Sequence, residues 1–462
     1  MRRNGLPLPF VLHTFASSFA HALWYTLFPI YLRSLGLPLA GGGLASSLPL
    51  TLSFVLALPA GIVADALPTR RALILATGGQ ATIVALLPSL KSPAATASLL
   101  FSYTFLSTLR GQSSLRVVAS RANRSDMGTW YSLYLLASGA SAAVGSYLSG
   151  VITEREGFTP LYRLSAIAFA LSALPLTRLE QIQGSRARER IKLEHLKSAG
   201  FFELTLSLSI HDFAVFSVMP YTALFQREVL GLSTYEIGTL AALGTVVSQV
   251  FQPVAGLVTD RLGSRFALTL HYVGVSAGYV LMAVSRSFGT LALAVVLQNV
   301  FLPLDLPARR KLLSYMAPPS SVATANGLSD AVVGLVAAPS PLLGSFSWSS
   351  LGARWAFGLG AALNLLALAP LAKLRERSPE NPALLQQPGQ RCGVYEGVHV
   401  ARGRYGPEEL QRSINVDTPV LSDEYDPSAP EVEREGVGRP HAERHARASL
   451  AGVSNQGNGG RD

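Results

Sequence analysis

The sequence predicts an all-α integral membrane protein whose twelve transmembrane helices form two pseudo-symmetric halves of six. Three observations carry this expectation. Of 462 residues, 49% are hydrophobic and only 14% charged, with a mean hydropathy of +0.33, whereas soluble domains carry roughly 25% charge. The apolar residues come in blocks of about 20, the length that crosses about 30 Å of hydrocarbon at about 1.5 Å per residue. The two halves of the chain also repeat one another in register.

Apolar blocks bounded by Gly, Pro and charge place spans near 8–33, 42–64, 70–90, 94–117, 128–152 and 159–177. After a basic connector they fall near 201–226, 235–258, 265–285, 288–308, 322–346 and 350–372. The domain reading is therefore a six-helix half at 1–177, a connector at 178–200, a second half at 201–377 and a tail at 378–462. The tail is rich in Pro, Gly, Glu, Arg and Asn and has no run able to pack or span, which reads as a solvated, disordered cytoplasmic segment. Met1-Arg2-Arg3 followed by an apolar run, with Ser18-Phe19-Ala20 behind it, has the outline of a cleaved signal peptide. The run continues to Tyr31, however, which is spanning length, and the repeat requires this helix.

The repeat is fixed by equal shifts. Gly36, Gly43, Gly61, Asp65 and Arg70 recur as Gly231, Gly238, Gly256, Asp260 and Arg265, each pair differing by 195 (231 − 36, and so on to 265 − 70). With the N-terminus inside, Lys and Arg concentrate in the cytoplasmic connections, among them Arg70, Arg71, Arg116, Arg186, Arg261, Arg309, Arg310 and Lys311. The other side carries Arg33, Lys91, Arg155, Arg163, Arg227, Arg286 and Arg354, a bias of roughly three to one that places both termini in the cytoplasm of a plasma-membrane protein. A net charge of +10 and a pI near 9.8 raise the question of nucleic acid. A nucleic-acid binder clusters its bases on one solvated face, and here they alternate with apolar blocks, so no such partner is expected. The single cysteine, Cys392, excludes an intrachain disulfide framework and a Cys-based metal site.

Gly256-Leu257-Val258-Thr259-Asp260-Arg261-Leu262-Gly263-Ser264-Arg265 resembles the signature loop of the major facilitator superfamily of secondary transporters. Its first-half copy keeps Gly61, Asp65, Arg70 and Arg71 but has Ala66 and Pro68 where an arginine and a second glycine belong. Glycine lets a neighbouring helix approach closely, and an aspartate at a helix end complements the positive end of another helix. The resemblance implies a conformational latch made of Gly61, Asp65, Arg70, Arg71, Gly256, Asp260, Arg261, Gly263 and Arg265, holding the cytoplasmic side closed. Basic loop residues are also plain topology signals. Leu306-Pro307-Ala308-Arg309-Arg310, continuing to Asn326-Gly327-Leu328, is similar to the family's junction of tenth and eleventh helices, and Gly139, Gly145 and Gly150 echo the glycine-rich fifth helix of its proton antiporters, with Ser146 in place of the expected proline. The same glycines also serve simple close packing.

A charge inside a membrane costs roughly 2.5–3.5 kcal/mol at the helix centre, so each needs a reason. His13 and His21 fall in the first span, Arg110 in the fourth, His211 and Asp212 in the seventh, His271 in the ninth, Asp305 in the tenth and Asp330 at the start of the eleventh. The resemblance implies that helices one, four, seven and ten line a central cavity. Asp212, about 18 Å along its span, lies too deep to snorkel, and it suits either proton coupling or a hydrogen bond to a neighbouring helix. Arg110 and Asp305 occupy equivalent positions (305 − 110 = 195), suited to a gating pair across the cavity or to Arg110 holding a substrate carboxylate; snorkelling is the plain alternative for Arg110. His21 with Trp24 and Tyr25 offers a proton acceptor and aromatic walls, or ordinary core packing.

The substrate and proton-coupling candidates are thus Asp212, Arg110, Asp305, His21, His211 and Tyr25. The expected function is secondary active transport of a small organic solute by alternating access, as proton-coupled export, by a monomer with no cofactor and no metal. A proton-coupled importer or uniporter of a sugar or organic anion is the alternative, and a nontransporting sensor of the same fold a remote one. No catalytic residues are expected: the sequence has no paired carboxylates at a membrane surface, no His/Glu metal cluster and no nucleophile motif.

Overall fold

The computed structural model describes residues 6–90, 92–121, 127–182, 200–316 and 322–374. The expected tail at 378–462 and most of the basic connector lie outside them. The described residues form helices and short connections. Five elements of the first half are α1 (Leu8–Tyr25, continued by Phe28–Ser34), α2 (Leu39–Ala66), α3 (Thr69–Leu86), α4 (Pro93–Arg121) and α5 (Met127–Glu156). Then come α6 (Phe158–Ser172), α7 (Phe201–Val218), α8 (Thr234–Arg261) and α9 (Ser264–Val284). The last three are α10 (Phe288–Phe301 and Asp305–Met316), α11 (Val322–Ala337 and Ser340–Leu351) and α12 (Ala353–Leu366 and Leu368–Lys373).

Ten of these segments are long and apolar enough to cross a membrane by length and composition. The other two are α1, diluted by His13 and His21, and α4, which carries Arg110 and Gln112. Several helices, α2, α4, α5, α8 and α10 among them, outrun the expected spans because hydropathy marks the hydrocarbon, whereas a helix ends where its backbone groups find other partners. Thus α2 runs 28 residues, about 42 Å, and α8 opens on a capping box in which Ser233 and Glu236 satisfy each other's backbone amides. Five membrane helices are interrupted: α1 at 26–27, α7 at Met219–Tyr221, α10 at Leu302–Leu304, α11 at 338–339 and α12 at 367, with Pro220, Pro303 and Pro339 at the breaks in α7, α10 and α11. Such breaks are tolerated within a membrane where the freed backbone is buried or lines a cavity.

The backbone repeats with the sequence. Gly36 and Gly231 both end the first helix of their half at positive φ (82° and 69°). Gly263 opens α9 at φ 94°, but its counterpart is Pro68 at φ −58°, so the altered first-half loop takes a different path into its helix.

Within the first half α1 packs on α5 and α6, α2 on α4, and α3 on α4 and α6; within the second, α7 packs on α11 and α12, and α9 on α10 and α12. The halves meet through α5 against α8 and α2 against α11. We call the end where α1 begins and α12 finishes the terminal end, and the opposite one the far end. The interface at the far end is tight: Gly150 and Gly238 pack backbone to backbone, and a Cβ on either would come within 2.5–2.8 Å of the other helix. There Arg33 donates to Glu228 at 3.0 Å and the Thr234 backbone amide donates to Glu154 at 2.9 Å.

In the second half, a Cβ on Gly344 of α11 would overlap the Ser217 carbonyl oxygen and the Tyr221 ring of the α7 segment, whereas Gly358 of α12 faces open space. Gly344→Val therefore lowers the melting temperature of the purified protein, at a cost of about 1–3 kcal/mol, and Gly358→Ala leaves it within error. Thermal unfolding followed by intrinsic fluorescence checks both.

Candidate functional site: a cavity between the halves

A cavity of about 720 Å³ lies between the halves. The first half contributes Tyr25, Thr26, Ser46, Phe54 and Leu135; the second contributes most of the wall. Phe216, Met219, Tyr279 and Met282 supply apolar surface, Gln226, Gln249, Gln252, Gln298 and Asn299 amide groups, and His211, Asp212, His271, Asp305 and Arg309 a charged side. These five amides thus face the cavity.

Arg309 organises the charged side. Its side chain is 5% exposed and it donates to both oxygens of Asp212, Nη2 to Oδ1 at 3.1 Å and Nη1 to Oδ2 at 3.2 Å. It also reaches Asp305 one turn back on α10, Nη2 to Oδ2 at 2.9 Å. A planar guanidinium can serve two carboxylates in this way, and an ammonium cannot. Beside this group His211 stacks on Tyr272 with ring centroids 4.6 Å apart, and its Nδ1 lies 2.6 Å from Asn364 Oδ1. His271 reaches the Phe301 carbonyl through Nδ1 at 3.0 Å, and the two histidine Nε2 atoms lie 3.1 Å apart.

The structure therefore gathers three of the candidates, Asp212, Asp305 and His211, and keeps the other three in the first half. Arg110 does not pair with Asp305 here: it donates to Gln80 Oε1 at 3.0 Å and to Ser17 Oγ at 2.9 Å, while Asp305 is held by Arg309. His21 Nδ1 lies 2.6 Å from the Tyr103 hydroxyl, between the stacked rings of Tyr25 and Tyr103, and the Tyr25 hydroxyl donates to the Ser46 carbonyl at 2.6 Å. His13 lies buried against the Ser172 carbonyl.

Arg309, read from sequence as a basic residue of a cytoplasmic connection, is instead buried at the centre of the cluster. Its signal was an Asp305/Arg309 spacing of four, which puts both on one helix face; the expected span stopped at 308 and cut this pair. Arg310 beside it donates to Asn326 and Asp330, each at 2.8 Å, tying α10 to α11.

Each proposed latch aspartate pairs within its own half. Asp65 faces Arg116 at 3.9 Å and Asp260 meets Lys311 at 2.7 Å, and these pairs are themselves equivalent (260 − 65 = 195, 311 − 116 = 195). Arg70 donates to the Thr177 carbonyl and Arg265 to the Ala372 carbonyl, a third equivalence (372 − 177 = 195). Arg71 and Arg261 are exposed. Gly61 and Gly256 both face open space in this conformation, so the close approach expected at the signature glycines is not made here.

His211, His271 and Asp305 bring one donor atom each within 4.8 Å of one another, a grouping invisible in sequence because it spans three helices. It does not fit a metal centre. Asp305 Oδ1 already accepts two hydrogen bonds from Arg309 and Oδ2 lies 2.9 Å from its Nη2, so a fixed positive charge stands beside any ion bound there.

Compared with known proteins, the chain matches the family model of the Major Facilitator Superfamily over residues 10–288 and, in an overlapping match, 204–407. The quinolone resistance protein NorA of Staphylococcus aureus is 23% identical over 150 residues, 32% of this chain and 38% of NorA, so the match spans well under half of that relative. Among solved structures, a bacterial homologue of the human lysosomal transporter Spinster, in an inward-facing and occupied conformation, superposes with a TM-score of 0.65 at 13% identity, covering 79% of this chain and 95% of that one. The human organic anion transporter MFSD10 (TETRAN) gives 0.59 at 17% identity, with 79% and 98% covered. The nucleoside transporter NupG gives 0.64 at 15%, with 80% and 100% covered. These structural likenesses concern the fold. Taken with the family match over most of its length, they establish that this multi-pass chain belongs to the Major Facilitator Superfamily, a family of membrane transporters.

Proposed function

We propose that this protein exports a small organic solute across the plasma membrane in exchange for protons, as a monomer with both termini in the cytoplasm. The observation that carries this reading is the cavity between the halves, apolar and amide-lined with one charged side, which suits a solute with a large apolar body and a few polar groups. The basic residues at the terminal end favour a cytoplasmic position for that end. With the halves bonded to each other at the far end, this conformation is then the inward-facing one. NorA, similar to this chain over 150 residues, is a quinolone resistance protein, which supports export over import.

In the exchange, Asp212, Asp305 and Arg309 form the charged side that senses protonation. Their two carboxylates and one guanidinium leave one uncompensated negative charge, so a proton arriving at this side neutralises it. The latch acts at the terminal end. Gly61 and Gly256 leave room for a neighbouring helix when that end closes, and Asp65 and Asp260 are free to exchange their own-half partners for the approaching helix.

Two outcomes are expected. In proteoliposomes containing a pH-sensitive dye, solutes from a panel of drugs, sugars and organic acids drive proton movement through the wild type, and Asp212→Asn reduces the protons moved per solute at least about tenfold. A wild type that carries labelled solute without moving protons refutes the coupling. For the latch, Gly256→Leu slows transport about tenfold and leaves the terminal end open. A Leu306→Cys reporter in a Cys392→Ser background then labels faster with a hydrophilic maleimide from the terminal side; unchanged transport and labelling remove the latch from the mechanism.

A further inference from the structure

Two imidazole nitrogens face each other across 3.1 Å at the cavity wall, and the hydrogen bonds on the other side of each ring fix what those nitrogens carry. Asn364 donates through Nδ2 to the Tyr272 carbonyl and to Ser276 Oγ, both at 2.9 Å. A carbonyl only accepts, so this atom is the amide nitrogen and Asn364 Oδ1 is the atom facing His211 Nδ1 at 2.6 Å. His211 Nδ1 therefore bears a hydrogen. His271 Nδ1 faces the Phe301 carbonyl at 3.0 Å and bears one too. In neutral rings both Nε2 atoms are then bare acceptors, and two lone pairs 3.1 Å apart repel. One added proton turns that repulsion into an N–H···N hydrogen bond shared by the pair.

We propose that His211 and His271 form a single proton-binding site that holds one proton between their Nε2 atoms, and that this pair carries the coupling proton of the exchange proposed above, on which the assignment of its role rests.

The surroundings favour one positive charge here. Facing the pair are Asp212 on α7, with its Oδ1 3.7 Å from His211 Nε2, the Tyr272 ring on α9, Asp305 and Arg309 on α10, and Asn364 on α12. Asp212 and Asp305 against Arg309 sum to −1, and a single proton brings the buried cluster to neutrality, whereas a divalent ion would overshoot to +1. The carboxylates are poorer carriers than the imidazoles. Between them they accept four hydrogen bonds from Arg309, which protonation would weaken, while the histidine Nε2 atoms gain a hydrogen bond on loading. Both rings lie on the cavity wall, so cavity water delivers the proton. Loading breaks one O–H bond of a hydronium and makes one N–H bond, with no electron transfer.

The test is nitrogen NMR of the full chain, labelled with 15N-histidine and reconstituted in bilayers, across a pH series. The chain has eight histidines, and the pair is assigned by comparison with His211→Gln and His271→Gln. The expected result is two Nδ1 atoms bearing hydrogen throughout and one proton taken up in a step that moves both Nε2 resonances together. If either Nδ1 lacks hydrogen, or if the two rings load independently, the shared-proton site is overturned. Zn2+ displacing these resonances at micromolar concentration overturns it in favour of a metal ion. A variant that fails to fold leaves the assignment to the other one. In proteoliposomes His271→Gln lowers the protons moved per solute at least about tenfold. Coupling that survives this change overturns the site and leaves proton-linked export standing. A wild type that moves no protons overturns the coupling alone, and the NMR result still decides whether the pair binds one.

Discussion

A guanidinium inside a bundle of membrane helices is tolerable only when opposite charge surrounds it, and Arg309 imposes that requirement on its whole neighbourhood. It fixes Asp212 of α7 and Asp305 of α10 within hydrogen-bonding range of one group, and so fixes the approach of two helices that line the cavity. The break at Leu302–Leu304 sits one turn before Asp305 and lets α10 resume with the aspartate and the arginine on one face. His211 is then held beside Asp212 by the backbone itself, and Tyr272, His271 and Asn364 complete a polar layer reaching α9 and α12. A neutral residue in place of Arg309 would leave two carboxylates facing each other with no countercharge.

The two halves use equivalent places differently. Ser17 and Asp212 correspond (212 − 17 = 195), as do Arg110 and Asp305. In the first half the corresponding contact is a cation with neutral partners, Arg110 to Ser17 and Gln80. In the second it is a cation clamped between two anions. The aromatic stack of His21, Tyr25 and Tyr103 has no counterpart at the charged side, where Phe216 and Gln298 stand in place of His21 and Tyr103 (216 − 21 = 195, 298 − 103 = 195). Duplication supplied the frame, and divergence concentrated the ionisable chemistry in one half.

The helical architecture was largely legible in the chain because bilayer thickness, duplication and charge bias are one-dimensional properties. The shift of 195 also carried over to contacts that hydropathy does not see, such as Asp65 with Arg116 and Asp260 with Lys311. Asp212 was found because a lone carboxylate deep in an apolar block stands out. Its partner was not, because Arg309 sits where hydropathy fades and resembles a topology signal until α10 is seen to continue to Met316. The meeting of His211, His271 and Asn364 depends on helix rotation and on three helices far apart in sequence, which no spacing rule encodes.

The far-end pair of Arg33 and Glu228 has one more property, since 228 − 33 is again 195: the two partners occupy the same place in their respective halves. In an assembly of two identical six-helix subunits, the residue nearest a twofold axis meets a copy of itself. Two arginines or two glutamates would face each other there and push that end apart. The bond between Arg33 and Glu228 is therefore closed to two identical copies, and it exists because the two copies have diverged at this one place.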